Sequence, residues 1–82
     1  MKKLREKGHY LEPIIRIGKK GITDEVIKEI SKQIKKKKLI KIKFLKSFLD
    51  KKERKETARE IAEKTDSKII EQIGFVVVLW KK

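Results

Sequence analysis

The chain has 82 residues, which allows one domain with a modest core, since chains of this size bury only about 60% of their unfolded surface. It carries 25 Lys and Arg against 12 Asp and Glu, a formal net charge of +13, and the compact state must hold that excess together against its own repulsion. With no cysteine and a single histidine, disulfides, thiolate metal sites and histidine-based metal catalysis are excluded, and no apolar run approaches the roughly 18 residues of a membrane span.

Residues 2–7 favour a short helix, with Gly8 and Pro13 as the first punctuation and a turn between helix and strand. Ile14-Ile15-Arg16-Ile17 is a β-branched run that reads as the first strand, with Pro13 at its start, where a missing donor does little harm. Gly18-Lys19-Lys20-Gly21 forms a tight loop. Thr23 is the N-cap of a helix reaching about residue 37, with Asp24 and Glu25 in its first turn and lysines in its last, as the helix dipole favours. In that helix Val26, Ile27, Ile30 and Ile34 recur at helical spacing, and Lys28, Lys32 and Lys35 fall on the wetter side.

From Ile40 to Phe44 apolar and basic residues alternate, placing Ile40, Ile42 and Phe44 on one face of a half-exposed second strand and Lys41 and Lys43 on the other. Residues 45–49 read as the loose stretch of the chain. Helical spacing returns over about residues 50–64, with Ala58, Ile61 and Ala62 as the buried stripe, and Glu60–Lys64 and Arg59–Glu63 as surface pairs. Residues 67–73 and 75–80 are two strands joined by a tight turn at Gly74, the second apolar on both faces and therefore an inner strand with helices over both of its sides. The expected fold is a single compact α/β domain over residues 1–82, in the order α-β-α-β-α-β-β, with three helices and a four-stranded mixed sheet.

The positive charge is lopsided. Residues 1–43 hold 15 basic and 5 acidic side chains, net +10, and residues 44–82 hold 10 and 7, net +3. Gly18-Lys19-Lys20-Gly21 lies in the basic half, between a strand and the first turn of a helix, whose leading N–H groups have no partners within the helix. Glycines let a backbone approach closely and the lysines add charge where a sugar-phosphate chain would pass, so the loop suits phosphate. As a plain turn it would need no ligand, and Asp24 and Glu25 nearby weaken the pull on an anion.

Arg16 and Lys28 flank the loop, Lys32 continues the basic side of the helix, and Lys41 and Lys43 make a basic stripe, equally readable as the wet side of an edge strand kept from aggregating by its lysines. The run of lysines at 35–38 also suits a helix C-terminus without any partner. Tyr10, with His9, offers a surface for stacking an unpaired base, although an aromatic just before a strand is more often a lid on the core. Trp80 is expected to pack. Catalysis finds no support: the carboxylates Asp50, Glu53, Glu56, Glu60 and Glu63 are spaced for surface pairs, and no nucleophile, base and orienting group assemble. No cofactor is expected.

Taken together, Pro13-Ile14-Ile15-Arg16-Ile17-Gly18-Lys19-Lys20-Gly21-Ile22-Thr23, Glu29-Ile30, Leu39-Ile40-Lys41-Ile42-Lys43 and Ile73-Gly74-Phe75-Val76-Val77-Val78-Leu79-Trp80 resemble the CRM domain (chloroplast RNA splicing and ribosome maturation) in its stand-alone YhbY-like form. That resemblance implies a shape similar to the C-terminal domain of translation initiation factor three. It also implies binding of structured RNA through the loop at Gly18 to Gly21 and its basic surroundings, Arg16, Lys19, Lys20, Lys28, Lys32, Lys41 and Lys43. Ribosomal RNA or a large-subunit precursor is the implied partner. The sequence ends at Lys82, just after the last strand, whereas many members carry a basic tail, so contacts of such a tail are not carried over. The expectation is a monomeric, cytoplasmic, non-enzymatic RNA-binding protein, with a permanent ribonucleoprotein component or an adaptor for acidic proteins as the alternatives. Duplex DNA is disfavoured by the lack of a helix-turn-helix or basic arm.

Overall fold

The computed structural model describes residues 2–18, 22–45 and 51–82. Its elements run α1 (Lys2–Tyr10), β1 (Ile15–Ile17), α2 (Asp24–Lys37), β2 (Leu39–Phe44), α3 (Lys51–Lys64), β3 (Lys68–Ile73) and β4 (Val76–Trp80). The four strands form one mixed sheet in the spatial order β1-β2-β4-β3. β1 pairs parallel to β2 through the crossover made by α2, and β4 pairs antiparallel to both β2 and β3. The expected element order and mixed sheet are what the chain forms, and β4 is an inner strand as its two apolar faces require.

β2 departs from the edge-strand reading of its lysines. It lies between β1 and β4, and the ladder continues beyond it, with the Ile14 N–H bonded to the Lys41 carbonyl at 2.9 Å and the Lys81 N–H to the Lys38 carbonyl at 2.8 Å. Alternation along a strand reports which face is wet, not whether both edges are paired.

Residues opposite one another in a ladder share a face of the sheet. Ile17 and Phe44, Ile42 and Val77, and Ile40 and Leu79 are such pairs, all within 1% of full burial. Ile30 and Ile34 of α2 and Ala58, Ile61 and Ala62 of α3 close over them, making a single core between the sheet and these two helices.

α1 lies on the other face, against β2, β3 and β4. It runs on through Gly8 to Tyr10, rather than ending near Lys7. The reason is packing: a Cβ on Gly8 would stand 2.9 Å from a Val78 methyl, so the missing side chain is what lets the helix sit on the sheet. Inner-strand apolarity is thus satisfied from both sides.

The helix ends are closed by side chains and by left-handed residues. The Thr23 hydroxyl accepts from the Val26 N–H at 3.1 Å, the N-cap expected there. Lys38 joins α2 to β2 with φ at 69°, and its N–H bonds to the Ile34 carbonyl. At the end of α3 the Ser67 and Asp66 N–H groups bond to the Ala62 and Glu63 carbonyls, with Asp66 at φ 52°, a Schellman closure. Glu60 and Lys64 pair at 3.2 Å, whereas Arg59 and Glu63 form no ion pair among the described residues. The Gly74-Phe75 turn is held by Arg54 of α3, whose Nε donates to the Gly74 carbonyl at 3.1 Å and whose guanidinium lies 4.1 Å from the Phe75 ring centre.

Candidate nucleic-acid interface

β1 ends at Ile17 and α2 begins at Asp24, so Gly18 is at the mouth of the strand-to-helix junction singled out in the sequence. Gly18 is half-buried, and a Cβ there would come 3.1 Å from the Leu45 side chain, which follows the end of β2. Lys19, Lys20 and Gly21 lie outside the described residues, as do residues 46–49 of the stretch expected to be loose. The described side of the junction is Ile22, half-buried against the core, the cap Thr23, and the exposed Asp24 and Glu25. Among the described residues neither carboxylate forms an ion pair.

The remaining candidate cations fall into two groups. Arg16 and Lys43 are register partners on adjacent strands, and Lys41 lies two residues before Lys43 on the same face, the one that carries α1. Strand spacing puts the Arg16 and Lys43 backbones about 4.8 Å apart, and Lys41 is about 7 Å from Lys43 along the strand. Arg16 and Lys43 are exposed, Lys41 is half-buried, and none of the three is in an ion pair among the described residues.

Lys28 and Lys32 are exposed on α2, which covers the opposite face of the sheet through Ile30 and Ile34. The fold therefore keeps these two groups on different layers. The strand-to-helix junction is their shared boundary, since it leads from β1, which bears Arg16, into α2, which bears Lys28 one turn in.

Beside the basic row, the sheet face hollows into a concavity of about 240 Å³, floored by Val76, Val78 and Ile73 and bounded by Lys41, His9 and Glu71. His9 Nε2 and a Glu71 carboxylate oxygen are 2.8 Å apart across 62 residues of sequence. Glu71 was not legible as part of this surface, because nothing near it in the chain signals α1. Tyr10 is corrected by the structure: it is 89% exposed and is no lid on the core. It ends α1 rather than leading into β1, so the chain turns away and leaves the ring in water. No helix of the described residues is long and apolar enough to cross a membrane.

Comparison with known proteins finds that a family model described as the CRS1 / YhbY (CRM) domain matches residues 1–81. A protein of Methanocaldococcus jannaschii named a probable RNA-binding protein is 38% identical over 96% of this chain, which spans 63% of that protein's length. The probable RNA-binding protein YqeI of Bacillus subtilis is 32% identical, covering 96% of this chain and 80% of its own length. Among solved structures, the solution structure of a hypothetical protein from Staphylococcus aureus superposes with a TM-score of 0.82 at 34% identity, over 99% of this chain and 82% of that one.

Proposed function

The chain belongs to the CRS1/YhbY (CRM) domain family, and on that premise we propose that it is a non-enzymatic RNA-binding protein that grips structured RNA by its phosphates at the strand-to-helix junction. The observation that carries this is the pairing of Arg16 with Lys43 across β1 and β2, exposed and in no ion pair among the described residues, at the strand end that opens into Gly18. Like-charged side chains opposite one another in a ladder repel. Their juxtaposition stabilises nothing in the protein alone and is relieved by an anion. The names of the Methanocaldococcus and Bacillus relatives support the same partner class.

In this proposal Lys19 and Lys20 hold the backbone phosphates, with Gly18 and Gly21 permitting close approach. Arg16, Lys43 and Lys41 extend the grip over the sheet, and Lys28 and Lys32 extend it along α2. The residues supply charge and amide donors but no base-edge readout, so recognition follows RNA shape. The RNA we propose is ribosomal, in a precursor of the large subunit, bound by a cytoplasmic monomer that leaves when assembly ends.

A fragment of large-subunit ribosomal RNA titrated at several salt concentrations tests the grip. If about four or five phosphates are engaged, the logarithm of the affinity falls with that of salt by several units, and Lys19→Ala with Lys20→Ala lowers this slope by about 2. The double variant should melt at the unchanged temperature. Full affinity in the variant removes the junction from the mechanism. Sedimentation of ribosomes after a high-salt wash tests the assembly role, since a permanent component stays with mature subunits.

A further inference from the structure

At the end of β2 away from Gly18, Leu39 and Trp80 are register partners on the face that α1 covers. With Leu4 and Leu11 they floor an open cleft of about 530 Å³. Its rim is Lys7, Lys37 and Lys38 together with the Tyr10 ring, and among the described residues no carboxylate lines it. Lys38 is held there by backbone geometry, because its N–H caps α2 at Ile34 with φ at 69°. Lys7 and the lysines at the end of α2 belong to elements separated by β1 and its flanking loops, so folding brings them together without any local pattern.

The lysines stand at the C-terminal ends of α1 and α2, where the helix dipole favours each of them. Stability does not explain a tyrosine 89% exposed, which contributes almost no burial, nor the convergence of three like charges on one depression, where they repel each other. Two of the five aromatic side chains of the protein line it, and among the described residues no acidic one does. Flat apolar surface ringed by cations suits a nucleotide, whose base stacks on aromatic rings while its phosphates meet ammonium groups. A base within a duplex has both faces already stacked and cannot enter.

We infer that the Tyr10–Trp80 cleft takes an unpaired nucleotide of the bound RNA, its base against the two rings and its phosphates on Lys7, Lys37 and Lys38. This deepens the proposal above and rests on it for the partner class, not for the contact itself. Leu39 and Phe44 are the ends of β2, so the cleft and the junction stand about 17 Å apart. The protein then reads an unpaired position at a set distance from a backbone grip.

Trp80 is the only tryptophan, so its emission reports the cleft directly. Octa-adenylate and a fully paired RNA duplex serve as probes. Octa-adenylate should quench Trp80 saturably and the duplex should not. Tyr10→Ala should weaken octa-adenylate binding about tenfold, as expected for one lost stack. Tyr10→Phe should restore it, and both variants should bind the duplex and melt as the parent does. Equal quenching by the duplex, no quenching by octa-adenylate, as a protein-binding cleft would give, or unchanged octa-adenylate affinity in Tyr10→Ala overturns the inference. The Lys19→Ala, Lys20→Ala variant separates the two proposals: duplex affinity retained in it sinks the junction, whatever happens at Trp80.

Discussion

Gly8 shows how a single residue decides where a helix can lie. In the sequence it looks like a helix terminator, yet in the fold it is a buried contact point at which α1 meets Val78. An alanine would improve helix propensity by about 1 kcal/mol, but its methyl meets a stiff β-branched side chain that is itself 2% exposed, and overpacking of that kind costs about 1–3 kcal/mol. Gly8→Ala is therefore expected to destabilise the protein by about 1 kcal/mol net, a fall of roughly 4–8 °C in Tm for a domain of this size. Val78→Ala should absorb part of that loss, and a thermal-denaturation cycle over the two single variants and the double checks it; strict additivity would mean that the two residues do not touch. Thr65 is a contrasting residue, buried and polar, whose hydroxyl donates to the Ile61 carbonyl at 2.8 Å and lies 2.8 Å from the Ser67 hydroxyl, so its polarity is fully used.

At the level of elements, most of the architecture was legible in periodicity and caps. Thr23, the stripe Ala58, Ile61 and Ala62, and the doubly apolar β4 all stand as read, because each depends on neighbours within a few residues or on burial of a whole face. The interior position of β2 was not legible. Its partner in the ladder is 35 residues further on, Ile42 opposite Val77, and one-faced alternation is the same for an edge strand as for an inner one with a wet side. The junction between α2 and β2 has one residue, Lys38, in the left-handed region, which a lysine adopts at a cost of about 1–2 kcal/mol. Lys38→Gly removes that strain but makes the unfolded chain more flexible, so the expected gain is about 0.5–1 kcal/mol, seen as a higher urea midpoint at unchanged slope. A lower midpoint would show that the lysine stem contributes more packing than its backbone conformation costs. The same substitution removes one cation from the Tyr10–Trp80 cleft and should weaken octa-adenylate binding while stabilising the fold.

Over the whole molecule the dominant quantity is the charge of +13 on a body of 31 × 24 × 19 Å. Screening shortens the reach of that repulsion to about 10 Å at 0.1 M salt and about 3 Å at 1 M, well inside the molecular dimensions. Raising sodium chloride from low to near-molar concentration should therefore raise the Tm of the free protein, while the same change weakens its grip on RNA; calorimetry and the binding titration together check the opposite signs. A Tm that falls with salt would mean that attractive pairs outweigh repulsion. By itself the sequence determined the element order, the mixed sheet, the buried stripes, the net charge and its concentration in the first half, because these follow from local spacing and simple sums over side chains. Only the tertiary structure decided which cations stand together: Arg16, Lys41 and Lys43 on one face of the sheet, Lys28 and Lys32 on the other layer, and Lys7 beside Lys37, Lys38, Tyr10 and Trp80. The physical reason is that a face of a sheet is assembled by pairing strands distant in the chain, so the neighbours of a surface side chain are set by register and strand order.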